Sequence, residues 1–181
     1  KYLLPNNSRK LYKLVDDKLE SKKIVVEQGI NTPELYGVID SPHQLDRMGE
    51  ILEGKEDFVI KPVNGSGGKG ILVITKREGD VFYKPSGVAV TLDEMKWYVT
   101  NILGGLYSLG GQKDSAMIEY RVKPDEMFSK ISYLGVPDIR GVLFHGYPVM
   151  AMMRRATQSS DGRANLHQGA VGAGVDLETG K

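Results

Sequence analysis

The sequence predicts an α+β protein whose strands pair mostly antiparallel, and three observations support this. Two β-branched runs, 58–60 and 71–74, enclose a glycine-rich loop, a pattern typical of a β-hairpin. Two further apolar runs, 139–144 and 147–153, flank the turn residues His145-Gly146. Helical and extended segments alternate without the regular period of a doubly wound parallel sheet, which favours separate helices and hairpins.

The first part of the chain predicts two helices and a strand. Either aspartate at 16–17 can cap a helix that runs to about Gln28, before the stop signal of a glycine. Residues 35–39 alternate as a strand does. Ser41-Pro-His-Gln44 combines a capping serine, a first-turn proline and a glutamine that reaches back, which predicts a second helix start.

The middle of the chain predicts a strand pair, a long helix and another strand. The pair is expected at 81–83 and 87–90, and Thr91 with Glu94 forms a capping box for the helix that follows. Residues 116–122 read as a strand. The apolar stripe of the helix consists of Leu92, Met95, Val99, Ile102, Leu103 and Leu106.

Residues 154–174 differ in character from the rest of the chain. They are polar, basic and glycine-rich and show no periodicity. We therefore expect a functional or mobile loop there.

Composition excludes several classes of protein. A chain of 181 residues can bury a core, as one domain or two small lobes. Its net charge of +1 gives no case for nucleic acid or a membrane as partner, and no apolar run approaches the roughly 18–20 residues that cross a bilayer. The absence of cysteine excludes disulfides and thiolate sites and fits a cytoplasmic protein. The oligomeric state is not indicated.

The glycine-rich loop does not fit three well-known nucleotide motifs. Gly65, Gly67 and Gly70 have the dinucleotide-binding spacing, but a β-branched run follows them where that motif requires a helix. Lys69 precedes a glycine rather than the hydroxyl residue of a Walker A loop, and the catalytic motifs of protein kinases are absent. Two readings remain at about even weight: a hairpin loop that cradles phosphate, and a flexible turn.

Four cations on separate elements suit a triphosphate. Lys61 ends an apolar strand beside a proline, where a charge needs a partner, and Lys18, Lys69 and Arg163 complete the set. The alternative for Lys18 and Lys69 is a solvated surface charge, which is the usual state of lysine.

For other polar residues a functional and a purely structural interpretation are both open. Glu119-Tyr120 ends a strand and can present backbone groups and a ring to a flat base, or can be an ordinary edge pair. Asp138 suits ribose hydroxyls or a turn cap. Arg163, Asn165 and His167 lie in the segment that no core explains.

In this order the motifs resemble the ATP-grasp superfamily, over about residues 12–174. Within it the chain is similar to the alpha-L-glutamate ligase branch with its RimK-type ligases, and above all to sugar-transfer-associated ATP-grasp proteins. The motifs are Asp17-Lys-Leu19 with Ser21, Gly29-Ile-Asn-Thr-Pro33, Val59-Ile-Lys-Pro62, Gly65-Ser-Gly-Gly-Lys-Gly70, Glu119-Tyr120, Asp138-Ile-Arg140, Met153-Arg154 and Arg163-Ala-Asn-Leu-His167.

The resemblance implies two small lobes with an ATP site between them and the glycine hairpin as a lid. Residues 1–15 would lead into the ATP-grasp, residues 16–115 would form the first lobe with its lid at 58–75, and residues 116–181 would begin a second, incomplete lobe.

The resemblance also implies roles for residues at matching positions. Lys18 and Lys61 would contact the α- and β-phosphates, and Glu119 and Tyr120 would form the adenine hinge. Asp138 would hold the ribose. The β- and γ-phosphates would be covered by Gly65, Ser66, Gly67, Gly68, Lys69 and Gly70, and the γ-phosphate and acylphosphate would face the catalytic pair Arg163 and Asn165.

The implied activity is an ATP-dependent carboxylate–amine ligase that works through an acylphosphate with Mg²⁺ or Mn²⁺. Small-molecule or peptide carboxylates and amines would be its substrates, glutamate or another amino acid among them. The family's metal ligands are expected beyond Lys181, so we expect these 181 residues alone to be inactive. The alternatives are a non-catalytic nucleotide-binding module and a kinase-like phosphotransferase.

Overall fold

A computed structural model describes residues 3–160 and 162–181, so residues 1 and 2 of the expected N-terminal segment lie outside the described residues. The chain divides into two compact units, Lys1–Arg121 and Val122–Lys181. The expected second lobe begins at Ala116, whereas the strand that starts there belongs to the sheet of the first unit.

The helices and strands have the following bounds. The described α-helices are α1 (Leu3–Asn6), α2 (Tyr12–Asp16), α3 (Lys18–Glu27), α4 (Met48–Ile51), α5 (Leu92–Leu103) and α6 (Glu126–Ser129). The described strands are β1 (Leu35–Ile39), β2 (Phe58–Pro62), β3 (Leu72–Ile74), β4 (Lys76–Glu78), β5 (Val81–Tyr83), β6 (Ala89–Thr91), β7 (Ala116–Glu119), β8 (Asp138–Phe144), β9 (Tyr147–Arg155) and β10 (Val171–Val175). Short 3₁₀ turns occupy Arg9–Leu11, Pro42–Arg47, Leu109–Gly111 and Leu166–Gln168.

The first unit contains a four-stranded antiparallel sheet in the order β1-β7-β2-β3 and a smaller one in the order β4-β5-β6. The hairpin predicted around the glycine-rich loop is confirmed, since Phe58 pairs with Ile74 and Ile60 with Leu72. Alternate residues of β2 are buried, which places Phe58, Ile60 and Pro62 on one face and Val59 and Lys61 on the other. One face of this sheet is therefore buried, and the other is partly open and carries Lys61.

The apolar face packs against α4 and α5 to form the core. Met95, Val99 and Ile102 of α5 are fully buried, as their three-and-four spacing predicts. The Thr91–Glu94 capping box is confirmed. Leu106, which the sequence places in the same stripe, lies beyond the helix end and is 67% exposed.

The predicted helix after residues 16–17 is confirmed as α3. Asp17 is its cap and accepts hydrogen bonds from the backbone N–H groups of Leu19 (2.9 Å) and Glu20 (3.0 Å). The helix predicted at Ser41 begins instead as a 3₁₀ turn, because the Gln44 side chain accepts from the Asp40 N–H and no side-chain bond caps the first turn.

The second unit is a three-stranded antiparallel sheet in the order β10-β9-β8. The predicted hairpin turn is confirmed, with positive φ at His145 (50°) and Gly146 (86°). The prediction of a loop throughout 154–174 is wrong at both ends. Residues 154–155 complete β9, and the segment Val171–Val175 is β10.

The strand β10 could not be predicted, because its glycines and alanine show no alternation of apolar and polar residues. Its pairing with β9 is made by backbone hydrogen bonds. Among the described residues, no helix is both long and apolar enough to cross a membrane.

Candidate functional site

Lys18 fixes the start of α3 to the start of the glycine-rich loop. Its ammonium group donates to the carbonyl oxygens of Val63 at 2.9 Å and Gly65 at 2.5 Å. Its backbone N–H also donates to the Val63 carbonyl, at 3.2 Å. The cation is therefore held at the base of the loop by neutral acceptors.

Asp114 holds the same part of the loop from another side. Only 5% of this residue is exposed, and its carboxylate accepts from the Asn64 N–H (3.0 Å) and the Asn64 side-chain amide (2.9 Å). It also accepts from the Ser115 N–H at 2.7 Å. A buried carboxylate with several donors is satisfied, so residues 63–65 form a rigid base for the glycines that follow.

The glycines are required by the shape of the loop. Gly67, Gly68 and Gly70 have φ values of 64°, 75° and 72°, which L side chains rarely adopt. At Gly70 an added Cβ would lie 2.5 Å from the ring of Tyr107, so close packing forbids a side chain there as well. Ser66 and Lys69, which directly precede Gly67 and Gly70, are exposed.

Lys61 and Glu119 meet on the face of the sheet that is turned away from the core. Val59 pairs with Glu119 across β2 and β7, so Lys61, two residues further along, shares that face. The Lys61 ammonium group donates to Glu119 Oε1. Glu119 is 4% exposed and is the partner that a lysine at this position requires.

Lys22 provides a second cation for the same carboxylate. Its ammonium nitrogen lies 3.3 Å from Glu119 Oε2, an ion-pair distance, although the geometry of that contact is not that of a hydrogen bond. Its hydrogen bonds go to the hydroxyl of Thr32, at 3.3 Å, and the carbonyl of Pro33. One carboxylate therefore lies between two lysines.

Burial and charge both act on Lys18. Burial lowers the pKa of its ammonium group, the nearby Lys61 charge lowers it further, and Asp114 acts in the opposite direction. Two ammonium groups that repel each other at the base of a glycine loop form a site that favours an anion.

The residues predicted as an adenine hinge are already engaged in the sheet. The Tyr120 N–H donates to the Glu34 carbonyl at 2.8 Å, and the Glu119 carboxylate faces Lys22 and Lys61. Tyr120 is 37% exposed, so it remains accessible to a flat ligand.

The remaining predicted residues belong to the second unit. Asp138 lies opposite Arg154 across β8 and β9 and accepts from its guanidinium group through both oxygens, with Nε at 2.7 Å. Arg163 is exposed, and its backbone N–H donates to Ser160 at 3.1 Å. Asn165 caps a 3₁₀ turn by accepting from the His167 N–H at 3.1 Å.

A family model for sugar-transfer associated ATP-grasp proteins matches residues 1–181. The chain belongs to this family. Membership confirms the expected superfamily and α+β fold class, and it supports an ATP-dependent, nucleotide-binding kind of function. No curated protein matches the chain.

The described part of this ATP-grasp chain contains no cluster of metal ligands. Within residues 3–160 and 162–181 no group of three or more His, Cys, Asp or Glu side chains is arranged to hold an ion. The described residues therefore do not fit a magnesium ion.

Two residues of this ATP-grasp chain, Lys22 and Asp114, contribute to the candidate site although the sequence motifs do not predict them. Lys22 lies four residues after Lys18 on α3, and this spacing places both on one helix face, so a signal was present. Asp114 binds Asn64, a residue 50 positions away, and no local pattern reports that contact.

Proposed function

We propose that this chain binds ATP at the base of its glycine hairpin and is part of an enzyme that joins a carboxylate to an amine through an acylphosphate. The observation that supports the proposal most is the position of Lys18, bonded to Val63 and Gly65 where the loop begins, with the Lys61 charge close by. Membership of the ATP-grasp family supports ATP as the nucleotide that binds there.

In this proposal Lys61 exchanges partners when ATP binds. It contacts Glu119 in the structure, and a phosphate oxygen would take the place of that carboxylate as its acceptor. Lys18 would contribute charge from its fixed position. The glycine loop, including Lys69, would cover the β- and γ-phosphates through backbone N–H groups, as a lid.

The adenine would lie beside residues 119–120. The Tyr120 ring supports this assignment because it is exposed enough to stack on a base. In the second unit we propose Asp138 for the ribose and Arg163 with Asn165 for the γ-phosphate. Asp138 would then have to share its carboxylate with Arg154.

The proposed reaction has two steps. A substrate carboxylate oxygen attacks the γ-phosphorus, the bond to the β–γ bridging oxygen breaks, and ADP leaves. An amine nitrogen then attacks the acyl carbon and loses a proton, and phosphate leaves as the carbon–nitrogen bond forms. Cations lower the barrier of the first step because an anion must approach a polyanion. A closed loop protects the acylphosphate from water.

A screen for ADP release tests the proposal. Because we expect these 181 residues alone to be inactive, the screen uses the protein with the segment expected to carry the metal ligands. This protein is incubated with ATP and Mg²⁺ and with pairs drawn from amino acids, peptides and sugar acids, beside its Lys61→Ala variant. We expect ADP release that depends on both an acid and an amine and is lost in the variant. Release that is the same in the variant contradicts the proposed site. ATP binding with no release for any pair would favour a non-catalytic nucleotide-binding module.

A further inference from the structure

Two lysines lie beside the Glu119 carboxylate, and they interact with it differently. Lys61 donates a hydrogen bond to Oε1, whereas Lys22 approaches Oε2 at 3.3 Å and directs its hydrogen bonds to Thr32 and Pro33. The side chains of Lys22 and Glu119 are 13% and 6% exposed, so water screens this pair little. The Lys22 charge therefore acts on Glu119 from a fixed position.

The three charges together make a net positive group, whereas Glu119 and Lys61 alone would be a neutral pair. An isolated carboxylate in a buried position holds its single counter-ion strongly, because the alternative is an uncompensated charge. With Lys22 in place, Glu119 keeps a cation when Lys61 leaves it.

We infer that Lys22 is a positioning residue for nucleotide binding, which compensates Glu119 and so allows Lys61 to transfer to a phosphate. This inference rests on the proposed function, since it assumes that Lys61 binds ATP. Lys22 itself touches no substrate in this account and acts through Glu119.

Two substitutions should affect ATP binding differently. In Lys22→Met, Glu119 holds Lys61 alone, so ATP must compete with the carboxylate. In the double variant Lys22→Met/Glu119→Gln the competing charge is gone, and Lys22 is no longer needed. If Lys22 only fastened α3 to Thr32 and Pro33, its loss would cost the same with either residue at position 119.

The test is a double-mutant cycle on the full chain, with ATP affinity measured by calorimetry. We expect Lys22→Met to weaken ATP binding about tenfold, the size of coupling that contacting charges show. We expect the double variant to bind ATP within about twofold of Glu119→Gln alone. Lys23→Met is the matched control, because Lys23 lies on the same helix, is exposed and pairs with Glu20.

Each outcome is decisive. Equal losses from Lys22→Met in the two backgrounds, or no loss at all, overturn the inference. Measurement of Lys61→Ala beside them separates the two claims. If that variant loses ATP affinity while Lys22→Met does not, the proposed site stands and only the role of Lys22 is wrong. If the unmodified chain does not bind ATP, the proposed function fails first.

Discussion

Lys61 of β2 and Glu119 of β7 are in direct contact on the face of the sheet opposite the core. The pairing of Val59 with Glu119 sets this contact, because residues two apart on a strand share a face. The alternation that buries Phe58 and Ile60 therefore also directs Lys61 towards the candidate site. One strand of five residues serves the core and the site together.

Gly70 is the glycine of the loop at which a side chain should be least tolerated. Gly70→Ala would combine a left-handed backbone with a Cβ 2.5 Å from the Tyr107 ring, and that ring is stacked on Tyr98 at 5.8 Å. We expect a loss of about 1–2 kcal/mol of unfolding free energy from the backbone and about 1–3 kcal/mol more from the clash. Urea unfolding measures the sum.

Gly79→Ala is the control for this prediction. Its φ of 61° is also left-handed, but an added Cβ would meet nothing within 4 Å. The control should show the backbone cost alone. Equal losses at the two positions would mean that Tyr107 does not restrict the loop.

The parts of the fold that the sequence predicts best are those set by local chemistry. Asp17 and the Thr91–Glu94 box cap helices within three residues of themselves, so their patterns can be read directly. The strand β10 could not be read, because backbone pairing with β9 replaces the apolar alternation that marks a strand.

In the candidate site, too, local patterns were predictable from the sequence and long-range contacts were not. Lys61 was identifiable because a charge at the end of an apolar strand needs a partner, but the identity of that partner, Glu119, depends on a strand 58 residues away. The role of Asp114 could not be predicted for the same reason, since its partner Asn64 lies 50 residues away. Such contacts depend on which strands pair and in which register, and local sequence patterns do not reveal this.

The capping carboxylate Glu94 should make stability depend on pH. Hydrogen bonds from Thr91, first of all from its backbone N–H at 2.7 Å, lower the pKa of Glu94 below its ordinary value of 4.5. A group whose pKa falls on folding stabilises the folded state above 4.5, and this contribution is lost as the pH falls through the folded-state pKa.

Glu94→Gln tests this pH dependence because glutamine resembles the protonated acid. The variant should be less stable than the unmodified chain at neutral pH, and the difference should shrink as the pH falls below 4.5. Urea unfolding across that range gives both curves, with Glu53→Gln at an exposed position as reference. A difference that stays constant with pH would exclude the charge of Glu94 as its source.

Arg154 should not be replaceable by lysine. Its guanidinium group binds both oxygens of Asp138, whereas an ammonium group is a point donor without that fork geometry. We expect Arg154→Lys to cost about 1 kcal/mol, since the Asp138 side chain is partly open to water. Faster amide hydrogen exchange in β8 and β9 would report the loss locally.

Arg155→Lys is the matched control for Arg154. Arg155 is exposed, and its guanidinium group donates to the Ile131 carbonyl at 3.1 Å, a hydrogen bond that lysine can also make. Exchange in β8 and β9 should therefore change little in this variant. Equal acceleration in both variants would show that the bidentate pair does not hold the strands.

The central claim is that ATP binds at the lysines beside the glycine hairpin, and calorimetry with Lys61→Ala tests it most directly. Lys76→Ala is the control, because Lys76 is exposed on β4 and pairs with Glu78 on its own strand. We predict that Lys61→Ala weakens ATP binding by at least about tenfold, that Lys76→Ala leaves it unchanged, and that both variants remain folded. ATP affinity that is the same in Lys61→Ala as in the unmodified chain would contradict the account.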